Sequence, residues 1–204
     1  MRSIQIGRLL RANTGGFVAG CRVANFEADA PSLGALVRAP LGGDMQLYGL
    51  IYDIHIDDDG LMRQLVTAEG VDEAAIADNR QNRTVPVEMS VLAVGYQQDG
   101  QIYHLLPPRP ALSLDVVTLC DDDELRRFTS SGRFGYFRHV LRNRELPAGE
   151  ILAAHIRQAQ HAHAARGNPT WAAAASQELI TLLRDDYSTL MSVLSALSDT
   201  MMDF

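Results

Sequence analysis

The chain of 204 residues contains no lysine, so all 18 of its basic residues are arginine. A nucleotide-binding loop of the P-loop type needs a lysine on the phosphates, and Schiff-base chemistry needs a lysine amine. The sequence therefore excludes both chemistries for this chain.

Cysteine and long apolar runs are also scarce. Only Cys21 and Cys120 are present, which favours buried, reduced thiols over a disulfide scaffold or a zinc site. No apolar run is long enough to cross a bilayer, and the first residues, Met1 to Gly7, lack the apolar core of a secretion signal. We therefore expect a cytoplasmic protein that does not enter a membrane.

The first half of the chain alternates apolar and polar residues with the period of β-strands, and turn residues interrupt it. The predicted strands are Ile4 to Leu10, Phe17 to Val23, Leu36 to Ala39, Leu47 to Ile56, Leu61 to Val66, Val85 to Tyr96 and Gln101 to Leu106. Six or seven short strands with tight turns predict a small closed barrel, because closure removes exposed sheet edges. A short helix or turn is expected over Val71 to Asp78.

One of these strands shows a clear alternation. Tyr48, Leu50, Tyr52, Ile54 and Ile56 are predicted to share one face of the sheet. Polar residues between them predict that the other face meets water.

Acidic runs raise the question of a magnesium site of the kind that nucleases use. Neighbouring residues of a strand or turn point in different directions, so Asp57 to Asp59 and Asp99-Gly100 are better interpreted as hairpin turns. Asp121 to Glu124 is predicted to cap a helix. His155, His161 and His163 lack the spacing of helical zinc ligands. We therefore predict no metal, no cofactor and no catalytic residue, and a nuclease is the least favoured hypothesis.

The proline-rich seam Leu105 to Pro110 marks a change of structural class. Its three prolines within four residues cannot join a sheet ladder or a helix interior, so we expect an extended connector. Helical patterns begin after Asp121. The predicted fold is α+β, with a small β-barrel of six or seven strands over residues 1–124 and an α-helical region over residues 125–204.

Several stretches of the first half resemble the HAS barrel, the N-terminal β-barrel of HerA-type DNA-translocating ATPases and rotary ATP synthases. The stretches are Ile6–Leu10 with Gly16-Phe17, Gly49–Ile54, Asn82–Gly95 and Pro107–Pro110. The resemblance covers residues 4 to 124, and it implies a barrel that packs at one end of a hexameric ring and carries no catalytic residue.

An ATPase core of the RecA kind follows the barrel in HerA-type enzymes, and this chain departs from that pattern. Without lysine it has no Walker A motif. The roughly 80 residues after the seam are also too few for a nucleotide-binding core of alternating strands and helices. The chain itself is therefore not expected to hydrolyse ATP.

Residues 125–145 hold six arginines and one acid, a local charge of +5 that leaves −12 for the rest of a chain of net charge −7. The arginines are Arg126, Arg127, Arg133, Arg138, Arg142 and Arg144. Phe128, Phe134, Tyr136, Phe137 and His139 are interleaved with them, a composition that suits contact with phosphates and stacking on unpaired bases.

The alternative interpretation of this stretch is structural. Phe134, Phe137, Val140 and Leu141 would then form the core face of a helix, while the arginines offset the acidic barrel. A pI near 5.3 favours this alternative over a dedicated DNA-binding protein.

A helix is predicted over Glu150 to Arg166, and Gly167 ends it. Asn168 is predicted to cap the next helix, with Pro169 at its first position. Farther on, apolar residues recur at spacings of three and four: Ile180, Leu183, Tyr187, Leu190, Leu194, Leu197 and Met201. Such a heptad seam needs a partner helix, either the 150–166 helix or another subunit, and Asp185-Asp186 is a potential interruption.

These observations predict a non-catalytic assembly or adaptor protein of DNA processing or repair. Its barrel would dock a HerA-like ATPase encoded elsewhere, or the nuclease partner of that ATPase. The alternative is a nucleic-acid-binding module that uses residues 126–144. A homo-oligomer through the heptad seam is also left open.

Overall fold

A computed structural model describes residues 4–22, 31–57 and 86–201, together with positions 60, 64, 67, 72–74 and 76. The strands are β1 (Ile4–Asn13), β2 (Gly16–Cys21), β3 (Leu36–Gly42), β4 (Met45–Ile56), β5 (Val87–Gln98), β6 (Gln101–Tyr103) and β7 (Val116–Leu119). The helices after them are α1 (Asp122–Thr129), α2 (Phe137–Arg142), α3 (Ala148–Ala164), α4 (Trp171–Leu182) and α5 (Tyr187–Met201), with a 3₁₀ turn at Gly132–Phe134. The predicted α+β fold with an N-terminal barrel is confirmed.

The barrel closes through antiparallel pairing in the order β2-β1-β7-β3-β4-β5, and β2 pairs back to β5. Because β4 covers one edge of β5, β2 and β6 must share its other edge. Strand β2 pairs with Val87–Leu92, and β6 pairs with Tyr96–Gln98. The shared edge therefore forks between these two segments, at residues 93–95.

Strand β4 is buried on both faces in its centre, which corrects the prediction of one wet face. Leu47 and Ile51 point into the barrel, while Tyr48 and Leu50 point outward against the helices. A bulge between Ile51 and Asp53 then changes the register, so Ile54 packs toward the barrel interior. The predicted common face from Tyr48 to Ile56 is wrong because an extra bulge residue reverses the alternation.

Other strand predictions also differ from the structure. Strand β7, which pairs with β1 and β3, lies after the proline-rich seam, where no strand was predicted, and β6 ends at Tyr103 rather than Leu106. Strand β3 continues through Pro40, which has no N–H to donate. The Pro40 nitrogen faces the β7 side of the strand, and pairing with β7 already stops at Arg38, so no ladder bond is lost. The predicted strand Leu61 to Val66 and the turn residues Asp58 and Asp59 lie mostly outside the described residues. Gln64, the one described position of that strand, is helical.

Two apolar clusters form the core. One fills the barrel: Ile6, Leu9, Phe17, Ala19, Ala35, Val37, Ala39, Leu41, Leu47, Ile51, Met89, Val91, Ala93, Ala111 and Val117. The other joins side chains on the outer wall of the barrel, from β3, β4 and β5, to side chains from all five of the named helices. The helical region therefore covers the barrel wall and shares its core.

Helix termini follow the predictions in part. Asp121 caps α1 as expected: its carboxylate accepts from the Glu124 N–H at 2.9 Å, and Glu124 returns a bond to the Asp121 N–H. The predicted cap at Asn168 is wrong, because α4 begins at Trp171. Gln160 of α3 bonds to the free Ala172 N–H at 2.8 Å instead.

Candidate functional site

Residues His104–Asp115, here named the seam loop, connect β6 to β7 without forming a helix or strand. The loop lies across one end of the barrel. Arg109 reaches the β3–β4 turn at Gly42, and Ala111 is buried in the barrel cluster. The buried part of the loop thus anchors its exposed part to the barrel.

The loop ends in a tight turn, Leu112–Asp115, that presents two leucines to solvent. Leu112 is 72% exposed and Leu114 is 69% exposed. The turn is closed by the Asp115 carboxylate, which accepts from the Leu112 N–H at 3.1 Å. Strand β1 holds it through four further bonds: Leu114 N to Leu9 O, Leu9 N to Asp115 O, Ser113 Oγ to Leu10 O, and Arg8 Nη1 to Leu114 O. The two leucines therefore stand on a well-braced turn.

Leu114 adopts a left-handed backbone conformation, with φ of 72°. For a side chain with a Cβ this conformation costs about 1–2 kcal/mol. Burial does not offset that cost, because the side chain is mostly exposed. A strained and exposed leucine supports a hypothesis of function at this turn.

Replacing Leu114 with glycine is expected to leave the free energy of unfolding unchanged or to raise it by up to about 1 kcal/mol. Glycine adopts positive φ without a Cβ clash, which offsets the backbone entropy that it adds to the unfolded chain. Urea denaturation measures the effect, and Leu114→Asn is the matched variant that keeps a side chain. Losses above about 1 kcal/mol in both variants would mean that Leu114 is kept for packing.

The six predicted arginines do not share one surface. Arg126 and Arg127 line a cleft with Asp121, Asp123 and Glu124, and Arg126 pairs with Asp123 at 3.0 Å. Arg138 and Arg142 line a different groove beside the seam loop. Arg133 is exposed at the 3₁₀ turn, and Arg144 lines a cleft with Asp186. Half of the arginines thus lie next to acidic side chains rather than on one basic track.

The aromatic side chains of the same stretch lie in the core. Phe128, Tyr136 and Phe137 are fully buried, and Phe134 stacks on Phe137 with ring centroids 5.4 Å apart. Val140 is buried and Leu141 packs against the same cluster, so α2 has the core face that the alternative predicted, although Phe134 lies before it in the 3₁₀ turn. Nucleic-acid binding through residues 126–144 stays a prediction. Because these phenylalanine and tyrosine rings lie in the core, such binding would use phosphate contacts rather than base stacking on them.

Histidines occupy the boundary between barrel and helices. His155 is fully buried on α3, where its Nδ1–H donates to the Gly34 carbonyl and its Nε2 accepts from the Tyr136 hydroxyl, each at 3.0 Å. Burial lowers the pKa of His155 to about 4. His163, also buried, stacks on Trp171 at 4.8 Å, and burial lowers its pKa too.

These histidines act as structural groups. Among the described residues, no group of three or more His, Cys, Asp or Glu side chains is placed to hold a metal ion. Cys21 and Cys120 are free thiols, and burial raises the pKa of both. A raised pKa reduces the thiolate fraction, and with it the reactivity, of each thiol.

The heptad seam does not run along a single helix. Asp186 ends the α4–α5 connection by accepting from the N–H and hydroxyl of Thr189, at 3.1 and 2.8 Å. Of the predicted seam, Leu183 and Leu197 are buried and Leu190 and Leu194 pack against the helical core. Ile180 and Tyr187 are exposed, and the side chain of Met201 lies outside the described residues. Most of the seam thus packs within the chain, where α5 lies against α3.

No helix in the described part of the chain is long and apolar enough to cross a membrane. No protein-family model matches the chain, and no curated protein matches its sequence. The resemblance to the HAS barrel therefore stays a prediction, because small closed barrels occur in unrelated families.

Proposed function

We propose that the chain is a non-catalytic docking protein whose barrel binds a HerA-like DNA-translocating ATPase, or the nuclease that works with it, in DNA processing or repair. The observation that carries this proposal is the Leu112–Asp115 turn, which holds two exposed leucines in a fixed conformation. The partner class comes from the resemblance of the barrel to the HAS barrel.

The energetics of binding favour such a turn as a contact site. Apolar side chains that enter a partner's pocket contribute about 1.5–3 kcal/mol each when fully buried. A turn whose backbone is already ordered loses less conformational entropy on binding than a flexible loop does, so more of that contribution appears as affinity. Leu10 of β1, which accepts a bond from Ser113, adds a further partly exposed apolar side chain.

Co-purification tests the proposal. The full chain and its Leu112→Asp/Leu114→Asp variant would be used as baits in native extract, with quantitative mass spectrometry of the bound proteins. We expect a DNA-translocating ATPase or a nuclease among the partners of the wild type, and at least a roughly tenfold lower recovery with the variant, equivalent to about 1.4 kcal/mol. Both leucines are exposed, so the variant is expected to stay folded.

Tyr187→Asp is the matched control, because Tyr187 is an equally exposed apolar side chain, at 73%, on the helical region. It should retain the partner. Loss of the partner with Tyr187→Asp alone would place docking on the helices instead. Recovery of only unrelated proteins, equally with wild type and the double variant, would contradict the proposed function.

A further inference from the structure

A groove of about 650 Å³ lies beside the seam loop, at the fork where β2 and β6 leave the edge of β5. We name it the seam groove. Leu92 and Ala93 of β5 lie on one side of it, Leu105 and Leu106 on another, and the residues of α2 on the third. The exposed leucines of the Leu112–Asp115 turn do not line this groove.

The apolar half of the groove is open to solvent. Leu105 is 51% exposed and Leu106 is 50% exposed, although both lie next to the buried residues His104 and Pro107. The buried neighbours fix the backbone of the loop, so the two leucines are held at the rim. An apolar rim above an apolar strand suits the side chains of an incoming segment.

The other half of the groove is basic. Arg138 and His139 both donate to the His104 carbonyl, which ties α2 to the seam loop. Arg142, one turn farther along α2, is exposed, and within the described part of the chain no hydrogen bond or ion pair engages it. Among the residues that the structure describes, no carboxylate lines the groove, in a chain whose net charge is −7. The groove thus carries local positive charge on a chain of net negative charge.

We propose that the seam groove binds a short peptide segment of a partner protein, in which apolar side chains stand next to aspartate or glutamate. The apolar side chains lie against Leu105 and Leu106, and the carboxylate pairs with the Arg142 guanidinium, the geometry that arginine suits best. This inference rests on the proposed docking function and adds the chemistry of the segment that is bound.

A peptide fits the groove better than a nucleic acid does. Tracking a phosphate backbone requires several available cations, and Arg138 is already committed to the His104 carbonyl. Bases also need exposed aromatic rings, and the one ring among the described lining residues, His139, is half-buried and bonded to the His104 carbonyl. Apolar walls with one available arginine match a segment that carries few charges and several apolar side chains.

Selection from random short peptides displayed on phage, with the full chain as bait, tests the inference. We expect the enriched peptides to combine Asp or Glu with Leu, Ile, Met or Phe. A selected peptide, labelled with a fluorophore, should bind at least about tenfold more weakly to Leu106→Asp and to Arg142→Glu. Replacing its carboxylates with lysine should restore binding to Arg142→Glu, because the charges are then exchanged.

Leu182→Asp is the matched control. Leu182 is a leucine with 45% exposure on α4, outside the groove, so its variant should bind the peptide as the wild type does. Urea denaturation should give equal stabilities for Leu106→Asp and Arg142→Glu, since both side chains are exposed.

Several outcomes would overturn the inference: no enriched peptide, enrichment without acidic residues, or binding that ignores both groove variants. Displacement of the peptide by a single-stranded oligothymidylate that itself needs Arg142 would assign the groove to nucleic acid. If the peptide test fails but the Leu112→Asp/Leu114→Asp bait recovers less of the partner than the wild type does, the docking function stands without the groove. A bait that never recovers a relevant partner contradicts the docking function instead.

Discussion

Replacing Phe128 with alanine is expected to lower the free energy of unfolding by about 3–5 kcal/mol. The ring is fully buried and lies where the barrel meets the helices. Its centroid is 5.0 Å from that of Tyr48 on β4 and 5.2 Å from that of Tyr136, which precedes α2. The variant therefore loses apolar burial and leaves a cavity in the cluster that joins the two regions.

Urea unfolding followed by two signals measures this effect. Far-ultraviolet circular dichroism reports the whole backbone, and the fluorescence of Trp171, the single tryptophan, reports the helical region. Because one cluster contains both barrel and helix residues, we expect the two signals to change together in wild type and variant.

Phe17→Ala is the matched control, because Phe17 is buried inside the barrel and belongs to the other cluster. This variant should also be strongly destabilised. Its Trp171 fluorescence should then change at the same lowered urea concentration as its circular dichroism. If Trp171 fluorescence in Phe17→Ala stayed at the wild-type midpoint, barrel and helices would be separate folding units, and the shared core would not couple them.

Acidification is expected to lower the free energy of unfolding by about 3 kcal/mol through His155 alone. Its pKa is about 4 in the folded chain against an ordinary 6.5, because burial disfavours the imidazolium. Each unit of difference corresponds to about 1.4 kcal/mol. Protonation would also place a second N–H on the ring, at the Nε2 that accepts from Tyr136.

The sign follows from proton binding in the two states. Above pH 6.5 the histidine is neutral in both states and contributes no pH dependence. As the pH falls below 6.5, the unfolded chain binds a proton that the folded chain rejects, so stability falls until the folded pKa near 4 is reached. Burial also lowers the pKa of His104 and His139, which adds to the loss in the same direction.

His155→Gln tests this prediction, since glutamine keeps polar atoms near Tyr136 and Gly34 but does not titrate. Urea unfolding measured at a series of pH values should show a slope between pH 6.5 and 4 that is much smaller in the variant than in the wild type. His161→Gln, at an exposed position of the same helix, is the control. Equal slopes in His155→Gln and wild type would assign the acid sensitivity to other groups.

Local patterns predicted the secondary structure well where the signal itself is local. The Asp99-Gly100 dipeptide predicted the β5–β6 turn, where both residues have positive φ, and Asp121 predicted the start of α1. The capping of α4 was missed because the acceptor for its Ala172 N–H, the Gln160 side-chain oxygen, comes from another helix. No sequence spacing signals a contact of that kind.

The candidate docking surface was only partly accessible from the sequence. The proline-rich seam indicated a boundary, but not that Leu112 and Leu114 would be exposed, since apolar residues are ordinarily predicted to be buried. The arginine-rich stretch was found, yet its arginines are divided between separate clefts. Which cleft each arginine faces depends on how α1 and α2 pack against the barrel.

The sequence by itself determined the chain's α+β class, the position of the change from strands to helices, and the absence of lysine chemistry. These properties depend on residue type and on spacings within one element. The tertiary structure alone decided that the outer face of β4 is covered by helices, that most of the heptad seam packs inside the chain, and that the seam loop keeps its leucines exposed. The physical reason is that an apolar side chain gains the same free energy from any partner that removes it from water, so its pattern does not specify the partner.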